Sequence, residues 1–163
     1  MPNQKKINDK IKLKLRSTAV AVRGNKILIY QTRGSDYWSL PGGKVEPDED
    51  SRQTLVREMK EEAGVRINIK RLLLLSENFF SRPSGTRIHE VAFYYLVDID
   101  RPGEFAFEGR EGDDILLDFR WVEREQLGNF NLKPDFLREV ICQLPTEPQH
   151  LITHNPDRTH SRS

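Results

Sequence analysis

Cysteine is nearly absent from this chain of 163 residues: Cys142 stands alone, so no intrachain disulfide can form and no thiolate zinc cluster can be built. Long apolar runs are also missing. The longest, Leu72 to Leu75, falls far short of the ~18 consecutive apolar residues that span a bilayer, which excludes an integral helical membrane protein. Nor does one sign of charge dominate. With 26 Lys plus Arg against 25 Asp plus Glu, there is no general electrostatic pull toward nucleic acid or anionic lipid. Met1 to Lys14 is rich in lysine but lacks the apolar core and cleavage site of a secretory signal, so a cytoplasmic protein is expected. The four histidines, His89, His150, His154 and His160, show no zinc-binding spacing, and the last three read as solvent-facing.

What remains is a chain with 36% hydrophobic residues and the length of one domain. Apolar and basic residues alternate from Lys10 to Arg16, the period of a half-buried strand whose lysines form a solvated face. Ser17 to Val22 and Lys26 to Gln31 flank Gly24-Asn25, which predicts an antiparallel hairpin. Trp38 to Gly43 then breaks regular structure. Pro47 to Ser51 supplies capping side chains for a helix over about 50–63 that ends at Gly64 and buries Leu55, Val56, Met59 and Ala63.

Further strands are expected over 67–75, 90–98 and 115–122, with surface loops at 78–87 and 101–114. A short helical turn follows at 123–127. A last helix opens near Pro134 and carries Phe136, Leu137, Val140, Ile141 and Leu144 on one stripe. The domain is therefore placed at 1–145, with its basic strand at 10–16, and 146–163 is read as a polar C-terminal tail.

Glu58, Glu61 and Glu62 fall within about a 100° arc of the helix, apart from its apolar face. Like charges at this spacing repel. The acids fit either a solvated face shared with Arg57 and Lys60 or a site for a hard divalent cation such as Mg²⁺ or Mn²⁺, which prefers oxygen ligands. Such a cation would imply a phosphorylated substrate.

The wider pattern runs Gly43, five residues, Glu49, seven residues, then Arg57-Glu58-Met59-Lys60-Glu61-Glu62-Ala63-Gly64-Val65. It resembles the Nudix box, G-x5-E-x7-R-E-U-x-E-E-x-G-U with U apolar, at every specified position from Gly43 to Val65. A chance match in a chain of this length has a probability on the order of 10⁻⁷. The lead-in Trp38 to Gly43 is similar to that common in Nudix hydrolases, and the resemblance extends over roughly 12–144.

The resemblance implies an α/β fold, the Nudix-type α/β/α sandwich with a mixed β-sheet between helices. It implies Mg²⁺- or Mn²⁺-dependent hydrolysis of the pyrophosphate bond of a nucleoside diphosphate derivative. Catalysis and metal ligation fall to Glu58, Glu61 and Glu62, with the Gly43 carbonyl as a further ligand, while Glu49 and Arg57 brace loop against helix. The base that takes the proton from water is first sought at Glu58, with Glu108, Glu111, Asp113 and Asp114 as loop alternatives or a solvated acidic loop.

Arg16 and Arg33 are candidates for phosphate, Trp38 for a pocket wall, and Phe80 or Phe79 for stacking a base; Tyr94 reads as core or sheet surface. The first substrate expected is a (d)NTP giving the monophosphate and pyrophosphate, followed by ADP-ribose or a nucleotide sugar. A silent nucleotide-binding sensor is the alternative from another class. The partner expected is thus a nucleotide-type small molecule, not nucleic acid, because the basic N-terminal stretch has no interleaved aromatics for stacking.

Overall fold

The computed structural model describes residues 11–100 and 105–155. Among these, the strands are β1 (Ile11–Arg23), β2 (Lys26–Thr32), β3 (Gly42–Lys44), β4 (Arg66–Ser81), β5 (Arg87–Asp100), β6 (Ala106–Glu111), β7 (Ile115–Glu123) and β8 (Gln149–Asn155). They build one mixed sheet in the order β6-β7-β2-β1-β5-β4-β8, with β3 beside β1. The β1/β5 and β4/β8 pairs are parallel and the others antiparallel. Helix α1 (Ser51–Ala63) covers one face, and a 3-10 turn (Arg124–Asn129) with the short helix α2 (Leu137–Cys142) covers the other. This is the expected α/β sandwich.

Two apolar cores follow from the alternation of β1 and β2. Ala19, Ala21 and Leu28 face α1 and pack with Leu55, Met59 and Ala63, while Val20, Ile27 and Ile29 face the other layer and pack with Leu127, Leu137 and Ile141. Val56, expected on the buried stripe of α1, is 48% exposed. The helix starts where its sequence says it should. The Asp50 side chain accepts from the Arg52 and Gln53 amides, Gln53 accepts from the Asp50 amide, and Gly64 ends the helix at φ 66°.

Several expectations need correction. The basic strand and the first half of the hairpin are one continuous β1, and Lys14 on its presumed solvated face is half-buried. The 78–87 loop is mostly the paired tip of the long β4/β5 hairpin, in register through Ser81↔Arg87, and 101–114 contains β6. The polar tail drawn from residue 146 includes β8, which pairs in parallel with β4 from Leu74↔Gln149 to Phe80↔Asn155. Two of its polar side chains pair with β4: Thr153 donates to Asn78 Oδ1 at 2.8 Å, and His150 Nε2 lies 2.8 Å from Glu77 Oε2. An edge strand with one wet face needs little apolar character, which is why composition alone hides it. The C-terminal helix is also shorter than its apolar stripe.

Candidate active site

The loop from β3 to α1 is tied to the sheet and to the helix by a few polar contacts. Ser17 on β1 donates to the Ser51 carbonyl at 2.6 Å, and the hydroxyls of Ser51 and Tyr95 are 2.6 Å apart, which seats the start of α1 on β1 and β5. Arg57 then does most of the bracing. Its Nε and Nη2 donate to the two oxygens of Glu49 at 2.8 and 2.9 Å, its Nη1 to Glu58 at 2.9 Å and Glu61 at 3.2 Å, and its Nη2 to the Lys44 carbonyl at 3.5 Å. The planar guanidinium matches a carboxylate fork in a way that Lys does not. Arg57, aided by Thr54, holds the Glu49 carboxyl down to about 2.

The three glutamates are linked unequally. Glu58 is nearly buried, with 13% of its side chain exposed, and Glu62 lies beside it, whereas Glu61 turns out toward Arg57 with 60% exposed. Burial, followed by the facing Glu58 and the charge of Glu111, pushes the Glu62 carboxyl up to about 8. Gly43 closes the other side: a side chain there would run into Glu58, whose Cγ would be 2.5 Å and Oε1 2.6 Å from an added Cβ. Among the described residues no three His, Cys, Asp or Glu side chains are gathered closely enough to enclose an ion. The donor set is instead two carboxylates against a glycine backbone. That fits a Mg²⁺-like cation, which takes one or two carboxylates and completes its shell with water and substrate phosphate.

Beside this cluster opens a cavity of about 950 Å³, walled by β1, the β4/β5 tip and the segments 36–40 and 131–137. Arg16 belongs to both regions. It lines the cavity, donates to the Tyr30 hydroxyl at 3.4 Å and places its charge within reach of Glu62. Phe80 and the buried Tyr94 also line the cavity.

Other expected contacts lie elsewhere. Arg33 is held by Asp118 at 2.7 Å and Glu108 at 2.8 Å, away from the cavity wall, because two carboxylates on neighbouring strands claim its guanidinium. Trp38 packs edge-on against Phe130, leaving Tyr37 and Ser39 to face the cavity. Phe79 stacks between His89 and His154 on the α1 side of the sheet. Of the four loop acids, Glu111 is the one whose charge is felt at Glu62. His160 lies outside the described residues.

Sequence reasoning missed Lys14, Arg82 and Lys133 in the cavity wall. The signal for Lys14 was present in its even spacing from Arg16, which puts both on one face of β1. Arg82 and Lys133 carried none, since only the fold brings them near.

Comparison with known proteins agrees with this geometry. The NUDIX domain family matches residues 13–144. Diphosphoinositol polyphosphate phosphohydrolase 2 from Rattus norvegicus is 37% identical over 95% of this chain and 93% of its own length. The Homo sapiens protein of that name is also 37% identical, over 92% of this chain and 75% of its own. Among solved structures, a Nudix hydrolase from Nitrosomonas europaea superposes with a TM-score of 0.64 at 18% identity, covering 87% of this chain and 79% of that one. An ADP-ribose pyrophosphatase from Streptococcus suis gives 0.58 at 19%, covering 86% and 98%. With the box intact, the sandwich in place and a family match across most of its length, this chain belongs to the Nudix hydrolases, a family of pyrophosphohydrolases.

Proposed function

We propose that the protein is a Mg²⁺- or Mn²⁺-dependent pyrophosphohydrolase whose substrate is a (d)NTP, cleaved to the monophosphate and pyrophosphate. The observation that carries the hydrolase reading is the carboxylate pair Glu58 and Glu62, held together against Gly43, with Arg57 bracing Glu58 from outside. Glu58, Glu62 and the Gly43 carbonyl would hold a divalent ion, which would neutralise charge on the phosphate oxygens, and Glu61 stands at the exposed rim. Arg57 and Glu49 position the carboxylates, as outer partners of metal ligands do. Arg16 binds phosphate at the mouth of the cavity, Phe80 offers a face for the base, and Glu58 accepts the proton of the attacking water.

A second substrate reading has its own support. The 37% identity to diphosphoinositol polyphosphate phosphohydrolases spans nearly the whole chain, which favours a diphosphate on a polyphosphorylated ring. One experiment separates the two. The protein is incubated with Mg²⁺ and, in parallel, (d)NTPs, ADP-ribose, nucleotide sugars, dinucleoside polyphosphates and diphosphoinositol polyphosphates, with products read by mass spectrometry in ¹⁸O-water. Metal-dependent cleavage of (d)NTPs, lost in Glu62→Gln, is the expected result. Preference for the inositol compounds would select the second reading, and binding with no turnover of any compound would make the protein a sensor.

A further inference from the structure

The cavity beside the glutamates gathers cations from separate parts of the chain: Lys14 and Arg16 from β1, Arg82 from the β4/β5 tip and Lys133 ahead of α2. Two carboxylates, Asp36 and Glu90, share the walls and leave positive charge in excess. The cations are poorly compensated. Among the described residues, neither Lys14 nor Arg82 forms an ion pair, and Lys133 pairs only with the exposed Asp135 at 2.8 Å. Burial and the charge of Arg82 push the Lys14 amine below its usual value, with Lys12 and Arg16 adding to the effect against the pull of Glu90. Thr18, 2% exposed in the same wall, keeps a buried hydroxyl with no hydrogen-bond partner. Repelling cations and an unpartnered hydroxyl in one concavity are chemically suited to an anion.

We infer that this cavity is an anion subsite, distinct from the glutamate cluster, in which Lys14, Arg82 and Lys133 hold a phosphate beyond the diphosphate being cleaved. This deepens the hydrolase reading and rests on it for the location of the scissile bond. Arg16 links the regions, because it lines the cavity and also acts on Glu62. A substrate that bridges them carries at least three phosphates: two at the glutamates and one or more in the cavity. Diphosphates with no other phosphate, such as ADP-ribose and nucleotide sugars, leave the cations unpaired and bind more weakly. The selected class is therefore polyphosphorylated, whether the scaffold is a nucleoside or a ring polyol.

The test uses a probe with phosphates and no anhydride, myo-inositol hexakisphosphate, titrated calorimetrically without metal into the full chain. Wild type and Glu58→Gln should bind it comparably, while Lys14→Gln and Arg82→Gln should each weaken it by about tenfold, as expected for loss of a charged hydrogen bond. Lys70→Gln is the charge control, because Lys70 pairs with Asp98 on the outer part of the sheet and should leave binding unchanged. Weakening by Lys70→Gln equal to that by Lys14→Gln would reduce the effect to net charge and overturn the subsite. So would loss of binding in Glu58→Gln with retention in the two cavity variants. If anion binding follows the cavity variants but no diphosphate is hydrolysed with Mg²⁺, the subsite stands and the hydrolase reading fails.

Discussion

Gly43→Ala separates a steric role at the site from a backbone role in the fold. The added methyl would stand 2.6 Å from Glu58 Oε1, where carbon contacts settle near 3.5 Å, so the carboxylate has to retreat by about 1 Å. A displacement of that size at reacting groups costs about 100-fold in rate. Stability should hardly change. Gly43 is absent from the positive-φ glycines, the obstructing atoms belong to a flexible side chain, and alanine lowers the entropy of the unfolded state by a compensating few tenths of a kcal/mol. Gly64→Ala inverts the pattern: φ is 66° with open space around it, so the change costs about 1–2 kcal/mol of stability and leaves Glu58 in place. The assay is kcat/KM with Mg²⁺ alongside thermal denaturation for both variants. Wild-type turnover in Gly43→Ala would refute the idea that this glycine exists to admit Glu58.

Four further outcomes follow from the same geometry. Because Glu62 titrates near 8 in the folded chain, the fold holds an extra proton between about pH 5 and 8, and metal-free stability should fall as pH rises through that window. Glu62→Gln should flatten this slope in a denaturation series; an unchanged slope would place the titrating group elsewhere. Arg57→Lys should lower kcat by roughly 10-fold to 100-fold through loss of the fork to Glu49, with far-UV circular dichroism unchanged. Leu55→Ala, at a fully buried position, should lower stability by about 2–5 kcal/mol in urea unfolding. Truncation after residue 145 removes β8 and bares the edge of β4, so light scattering should detect self-association at concentrations where the intact chain is monodisperse.

The parts legible in the sequence were those encoded locally. Asp50 and Gly64 bound α1 because capping and the left-handed turn depend on a few adjacent residues, and the spacing from Gly43 to Glu62 carried the acidic cluster with it. Even there the rotamers were hidden: helical geometry puts Glu61 beside Glu58 and Glu62, but Arg57 draws it outward. Arg33 was misplaced because nothing in its neighbourhood announces Asp118 and Glu108, which reach it only after β2, β6 and β7 align. The cavity was illegible for the same reason, since Lys14, Arg82 and Lys133 meet through pairing over long separations. β8 escaped notice because half its side chains are exposed and polar, and its partner Glu77 lies 73 residues from His150.

The parallel pairing of β1 with β5 also dictates the order in which the protein can become functional. Arg16 aligns with Ala92, so the β3–α1 segment lies wholly inside the loop that this pairing closes. Such a distant closure is entropically slow, and during synthesis β1 waits without its central neighbour until β5 has left the ribosome. The box can nucleate its own helix early, but its carboxylates meet Gly43 and Arg16 in fixed geometry only once that closure is made. Chemical competence is thus a late event in folding, and a partly made chain cannot cleave a diphosphate prematurely.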